Sequence, residues 1–186
     1  MEENGNEQLE YYLSSLDELG EILIDADKAH QVGSGILRLT LGTIMASSGT
    51  IFLLEQGHAN LRELSSIGIK DISPSIPLSD SFLLNIKVYQ YGHLDYDEPP
   101  DWIGEDLKDY LIKSKIKTIV PLFHKNNLLG LLCIGGKFMS ESFSDIDYKI
   151  LEIISNHLTK ALYNYELIRD VEKKKKQLNI KLLELE

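Results

Sequence analysis

Apolar residues recur at helical spacing at Leu9, Leu13, Leu16, Leu19 and Leu23 and again, after a break, at Ile36, Leu37, Leu39, Leu41 and Ile44. This spacing predicts two helices ahead of any strand. The period then falls from 3.6 to 2. Residues 48–55 and 61–67 flank a polar turn at 56–58, and residues 117–124 and 128–136 flank a second at 125–127, so each pair reads as a β-hairpin. Between the hairpins lies an irregular insert that opens with Pro74 and Pro77. It carries short helical patterns at 81–86 and 104–113, separated by an aromatic, acidic stretch with Tyr89, Tyr91, His93, Tyr96 and Trp102.

From Ile150 the spacing becomes a heptad. Ile150, Ile154, His157, Ala161, Asn164, Ile168, Val171, Lys175, Leu178, Leu182 and Leu185 alternate steps of four and three. Ser144 and Asp147 stand where a capping box would open this helix. A seam of this length implies a partner helix, and the expectation is a homodimer formed through the N- and C-terminal helices. The polar seam members His157, Asn164 and Lys175 leave open a monomeric tail docked on its own domain. Lys173 to Lys176 reads as a solvated coiled-coil face rather than a nucleic-acid contact.

The order helix, helix, strand pair, insert, strand pair, long helix predicts an α+β fold. An antiparallel sheet would carry its helices on one face and a ligand-enclosing insert on the other. Strand alternation puts Thr50, Phe52, Leu131 and Cys133 toward the insert, and Ile51, Leu53, Leu132 and Ile134 toward the helices. Residues 1–8 are polar and are expected to be disordered.

The length of 186 residues fits one domain with an extension, and the net charge of −10 argues against a nucleic-acid or anionic-membrane partner. The lone Cys133 allows no internal disulfide, and no stretch has the pattern of a leader or a membrane span, so the chain reads as cytoplasmic. Five histidines lie on different elements without metal-ligand spacing, so no metal site is expected. His93 would be a lone axial candidate for haem, and Cys133, inside an apolar strand, is a poor site for a covalent bilin. Gly33-Ser34-Gly35, placed at the start of the second helix, follows no strand and is not a phosphate loop. Asp95, Asp97, Glu98 and Asp101 read as a solvated loop, and no catalytic constellation is found; this chain by itself is not expected to be an enzyme.

Pro121, Leu122, Gly130, Phe143, Ser144, Asp147, Ala161 and Asn164 stand in an order that resembles a GAF domain, the small-molecule-sensing module of signalling proteins, over roughly residues 16–165. The resemblance implies a sensor domain at 9–165 and, at 166–186, a coiled-coil signalling helix continuous with the last helix of the domain. It implies a ligand pocket drawing on Thr50, Phe52, Ser65, Ser66, Ile67, Ser81, Phe82, Leu83, Trp102, Ser114, Thr118 and Cys133. The dispersed motif of the cyclic-nucleotide-binding branch is matched by Lys137, Phe143 and Asp147, with Gly136 and Tyr148 departing from it. Those three are read equally as a structural clamp. Cyclic AMP is the best single ligand guess, no cofactor is required, and the implied partner is a covalently linked C-terminal output domain such as a GGDEF diguanylate cyclase. The dimer seam would use Ile154, Ala161, Asn164, Ile168, Val171, Leu178 and Leu182, with Asn164 setting the register. The alternatives are a filled core under a closed insert and a ligand-free dimerisation module of a histidine kinase or other signalling protein.

Overall fold

The computed structural model describes residues 26–55, 57, 59–70, 75–139 and 142–183. Helix α1 (Ala26–Ile44) leads into strands β1 (Gly49–Glu55), β2 (Asn60–Ile67) and β3 (Ser75–Pro77). The insert follows: helix α2 (Asp80–Asn85), a 3-10 turn at Ile86–Tyr89, strand β4 (Leu94–Asp95), a second 3-10 turn at Asp101–Ile103 and helix α3 (Glu105–Lys113). Strands β5 (Ile116–His124) and β6 (Asn127–Gly135) complete the sheet, and helix α4 (Asp145–Leu183) closes the order. The helix expected over residues 9–23 lies outside the described residues.

The strands form one antiparallel sheet in the order β3-β2-β1-β6-β5-β4. The two predicted hairpins sit side by side at its centre, joined where β1 meets β6. The outer strands β3 and β4 hold three and two residues, too few to give an alternation signal. Gly130 explains how closely the central strands approach. A Cβ there would lie 2.1 Å from the carbonyl oxygen of Phe52, so a side chain at this point of β6 would force β1 away.

Alternation assigns the two faces as expected. On one, Leu37 and Ile44 of α1 and Leu151, Ile154 and Leu158 of α4 pack on Ile51, Leu132 and Ile134. On the other, Phe52, Leu131 and Cys133 pack under Phe82, Ile86, Ile103 and Leu107 from the insert. The sheet is thus buried on both sides.

One local expectation is corrected. The Gly33-Ser34-Gly35 triplet lies inside α1 rather than at its start. A Cβ at Gly33 would come within 3.1 Å of Leu64, so the glycine lets α1 rest against β2. The cap of α2 is Ser79, whose Oγ accepts from the Phe82 amide at 3.1 Å, with Asp80 in the first turn. Helix α4 opens as predicted, with the Asp147 amide donating to Ser144 Oγ at 3.3 Å and the Ser144 amide donating to Asp147 Oδ2 at 2.7 Å.

Candidate functional site

The insert face of the sheet carries a set of polar groups within its apolar packing. Thr50 Oγ1 and the Tyr110 hydroxyl, from β1 and α3, share a buried hydrogen bond of 2.6 Å. The Tyr110 ring meets Phe52 edge-on with centroids 5.2 Å apart. Burial first, and the nearby Cys133 sulfur second, raise the Tyr110 pKa while the Thr50 bond opposes them; the result is pushed up to about 12. Burial alone pushes the Cys133 thiol well above its usual range, so it stays protonated and inert. Tyr96 is likewise raised by burial, with Cys133 and Asp95 adding to the effect.

Glu63 enters the same face from β2. Its Oε1 accepts from Ser66 Oγ at 2.7 Å, while its buried Oε2 has no hydrogen-bond partner among the described residues. The buried Tyr96 hydroxyl is in the same condition. Buried polar atoms normally find partners, and each exception calls for an explanation. Around this set, Trp102 lies between Phe82 and Tyr89, with centroid distances of 6.0 and 6.3 Å.

The structure brings Thr50, Phe52, Ser66, Phe82, Leu83, Trp102, Ser114 and Cys133 to this face or its margin. It places Ser81 at the exposed rim, donated to by Asn85 through its main chain. Three members go elsewhere. Thr118 pairs with Ile134 and Asp95, in the register that faces the helices. Ser65 turns to α1, where its Oγ lies 2.8 Å from Ser34 Oγ, and Ile67 packs on the helix-side core. Consecutive strand residues cannot share a face, so Ser65 and Ile67 lie opposite Ser66; a bulge in β2, where Ile51 pairs with Ser65 but Phe52 pairs with Glu63, makes Leu64 an extra residue and turns Glu63 to the face of Ser66. The same bulge hides Glu63 from a sequence reading. Tyr110 is missed for another cause, because its partner Thr50 is 60 residues away.

A second constellation joins the sheet to α4. Lys137 bridges to Ala46 beyond the end of β6, and its Nζ donates to Asp147 Oδ2 at 2.9 Å. That oxygen also accepts from the Ser144 amide and hydroxyl, at 2.7 and 2.9 Å. Burial works to raise the Asp147 pKa, but the Lys137 and Ser144 bonds outweigh it and hold the carboxyl below its ordinary value. Phe143 packs beside this pair on the helix-side core.

The seam residues divide along α4. Ile154 and Ala161 are each 1% exposed within the domain's own core, so they face the sheet and are not available to a partner helix. Asn164 is exposed and Ile168 half-buried. Val171 and Leu178 are 65% and 60% exposed, and every described side chain from Arg169 to Lys181 faces solvent. The side chain of Leu182 lies outside the described residues.

No protein-family model matches the sequence, and no curated protein matches it. Solved structures do resemble it. Residues 122 to 287 of a methyl-accepting chemotaxis protein superpose with a TM-score of 0.60 at 15% identity, over 81% of this chain and 97% of that one. A GAF domain/HD domain protein from Geobacter sulfurreducens superposes with a TM-score of 0.58 at 15% identity, over 83% and 98%. The phycoerythrobilin-bound GAF domain of a cyanobacterial phytochrome does so with a TM-score of 0.57 at 17% identity, over 87% and 97%. The chain has the GAF fold.

Proposed function

We propose that this chain is a non-catalytic, cytoplasmic sensor domain of a signalling protein. A small ligand, cyclic AMP as the first candidate, is taken up between the sheet and the insert. Its occupancy passes along α4 of a homodimer to a C-terminal output domain, of which a GGDEF diguanylate cyclase is the best candidate.

The observation that carries this reading is the continuity of α4. One helix backs the sheet through Leu151, Ile154 and Leu158, is pinned to it through Asp147, and then runs on with Val171 and Leu178 exposed. An isolated helix with such residues is poorly held in water, and a twin helix would cover them. A shift of the insert against the sheet would therefore reach the output end without crossing a loop.

The polar inventory supports a purine as the ligand. An exocyclic amine would satisfy Glu63 Oε2, and the rings of Phe52, Phe82 and Trp102 would hold a flat base. A second reading is favoured by the packing itself. Phe52, Phe82, Ile103, Leu107 and Leu131 are fully buried, as in a filled core whose only task is to support a dimer. Calorimetry and thermal-shift titration with cyclic AMP, cyclic GMP and other purine nucleotides separate the two. Binding at a hundredfold excess over Kd would stabilise the fold by about 2.7 kcal/mol; silence from every nucleotide leaves the dimerisation module standing.

A further inference from the structure

A groove of about 530 Å³ runs along the flank of α4, between that helix, the insert turn at 90–93 and β5. Its volume falls in the range of roughly 300–1,000 Å³ typical of small-molecule sites. Its floor holds Ser155 and Thr159, which are 8% and 9% exposed. Ser155 Oγ donates to the Glu152 carbonyl at 2.9 Å. Thr159 differs from the helical threonines Thr40 and Thr43, each of which donates to the carbonyl four residues back at 2.8 Å. Its hydroxyl bonds to no described residue and, as part of the lining, is open to an occupant of the groove.

The wall is apolar, built from Val120, Pro121 and Phe123 of β5, and Tyr91 stands at the mouth with 93% of its surface exposed. The stacked rings of His93 and Tyr148, 3.9 Å apart, form part of the lining. The rim carries Lys125 and Lys149, neither of them in an ion pair with a described residue, against the single carboxylate of Glu152. A chain of net charge −10 thus presents two cations without a described ion-pair partner beside an aromatic wall and an open hydroxyl.

We infer that this groove binds a small organic anion consisting of one aromatic or heterocyclic ring with a carboxylate or phosphate. The ring lies against Pro121 and Phe123 beneath Tyr91, the anionic group sits between Lys125 and Lys149, and Thr159 bonds a ring substituent. Because the groove is lined by both the insert turn at 90–93 and α4, an occupant ties the insert to the output helix. It forms an input separate from the proposed nucleotide position beside Glu63, which is absent from the groove lining.

The test titrates the isotopically labelled chain with phenyl phosphate and follows amide chemical shifts. Saturable shifts are expected at Gly92, Lys125, Ser155 and Thr159, with Kd below about 1 mM for a ligand of this size. Benzyl alcohol, which lacks the charge, and inorganic phosphate, which lacks the ring, should each bind about tenfold more weakly, as expected for loss of one charge-assisted or stacking contact. Lys125→Gln combined with Lys149→Gln should weaken phenyl phosphate by a similar factor while leaving any heat of cyclic AMP binding unchanged. Thr159→Val supplies a second variant in which the rim is intact and affinity still falls. Shifts confined to the insert face, equal binding of inorganic phosphate, or undiminished affinity in the double variant would each overturn the assignment.

Discussion

Lys137 Nζ lies 2.9 Å from Asp147 Oδ2, with the two side chains only 12% and 8% exposed. The pair fastens the end of the central hairpin to the first turn of α4. Removing the lysine would leave a buried carboxylate that keeps its two Ser144 bonds. Lys137→Ala should therefore cost about 2 kcal/mol, between the loss of an ordinary charged hydrogen bond and that of a fully isolated buried pair. Urea unfolding measures it, and stability within 0.5 kcal/mol of the parent, a difference on the order of surface substitutions, would show that the clamp contributes nothing.

The same site makes a pH prediction. The folded Asp147 carboxyl titrates below the ordinary aspartate value of 3.8 because its Lys137 and Ser144 bonds outweigh the effect of burial. A depressed folded pKa adds stability that is fully present above the unfolded value and lost as pH falls through the folded one. Asp147→Asn should be less stable than the parent at neutral pH, with the gap narrowing below about pH 4. Urea midpoints taken between neutral pH and pH 3 would reveal this, and a constant gap would refute it.

Gly130→Ala places a methyl group 2.1 Å from the Phe52 carbonyl oxygen, a main-chain atom between two paired strands that cannot rotate aside. The expected loss is about 3 kcal/mol or more, at the upper end of overpacking costs. Thermal unfolding reads it directly, and a shift of less than a few degrees would mean that β1 and β6 separate more easily than their register indicates.

Val171→Asp with Leu178→Asp should convert a dimer to a monomer by light scattering while the domain melts unchanged, because both side chains are free of the core. Ile154→Asp should unfold the domain, since it buries a charge against the sheet. An unchanged mass in the double variant would remove the seam from the mechanism.

Much of the fold is legible before any coordinates. The central hairpins, the faces of Phe52 and Cys133 and the capping box at Ser144 follow from period and turn chemistry, which act over a few residues. The candidate site is less so. Glu63 and Ser65 lie on opposite faces, although two residues apart, because Leu64 is bulged between them, and nothing in residues 60–67 marks where the extra one falls. Tyr110 meets Thr50 only because α3 packs back over the sheet. The heptad spacing of α4 is continuous, yet Ile154 belongs to the core and Val171 to solvent, since docking on a sheet and docking on a twin helix need the same stripe.

The sequence by itself determined the two central hairpins, the two-sided burial of the sheet and the helix that runs on from it. These depend on local spacing, which each segment carries alone. Only the tertiary structure decided which oxygen atoms are left buried without partners, where the seam leaves the core, and that a second groove opens beside α4. Those depend on distances between residues far apart in the chain, set when the whole core packs at once.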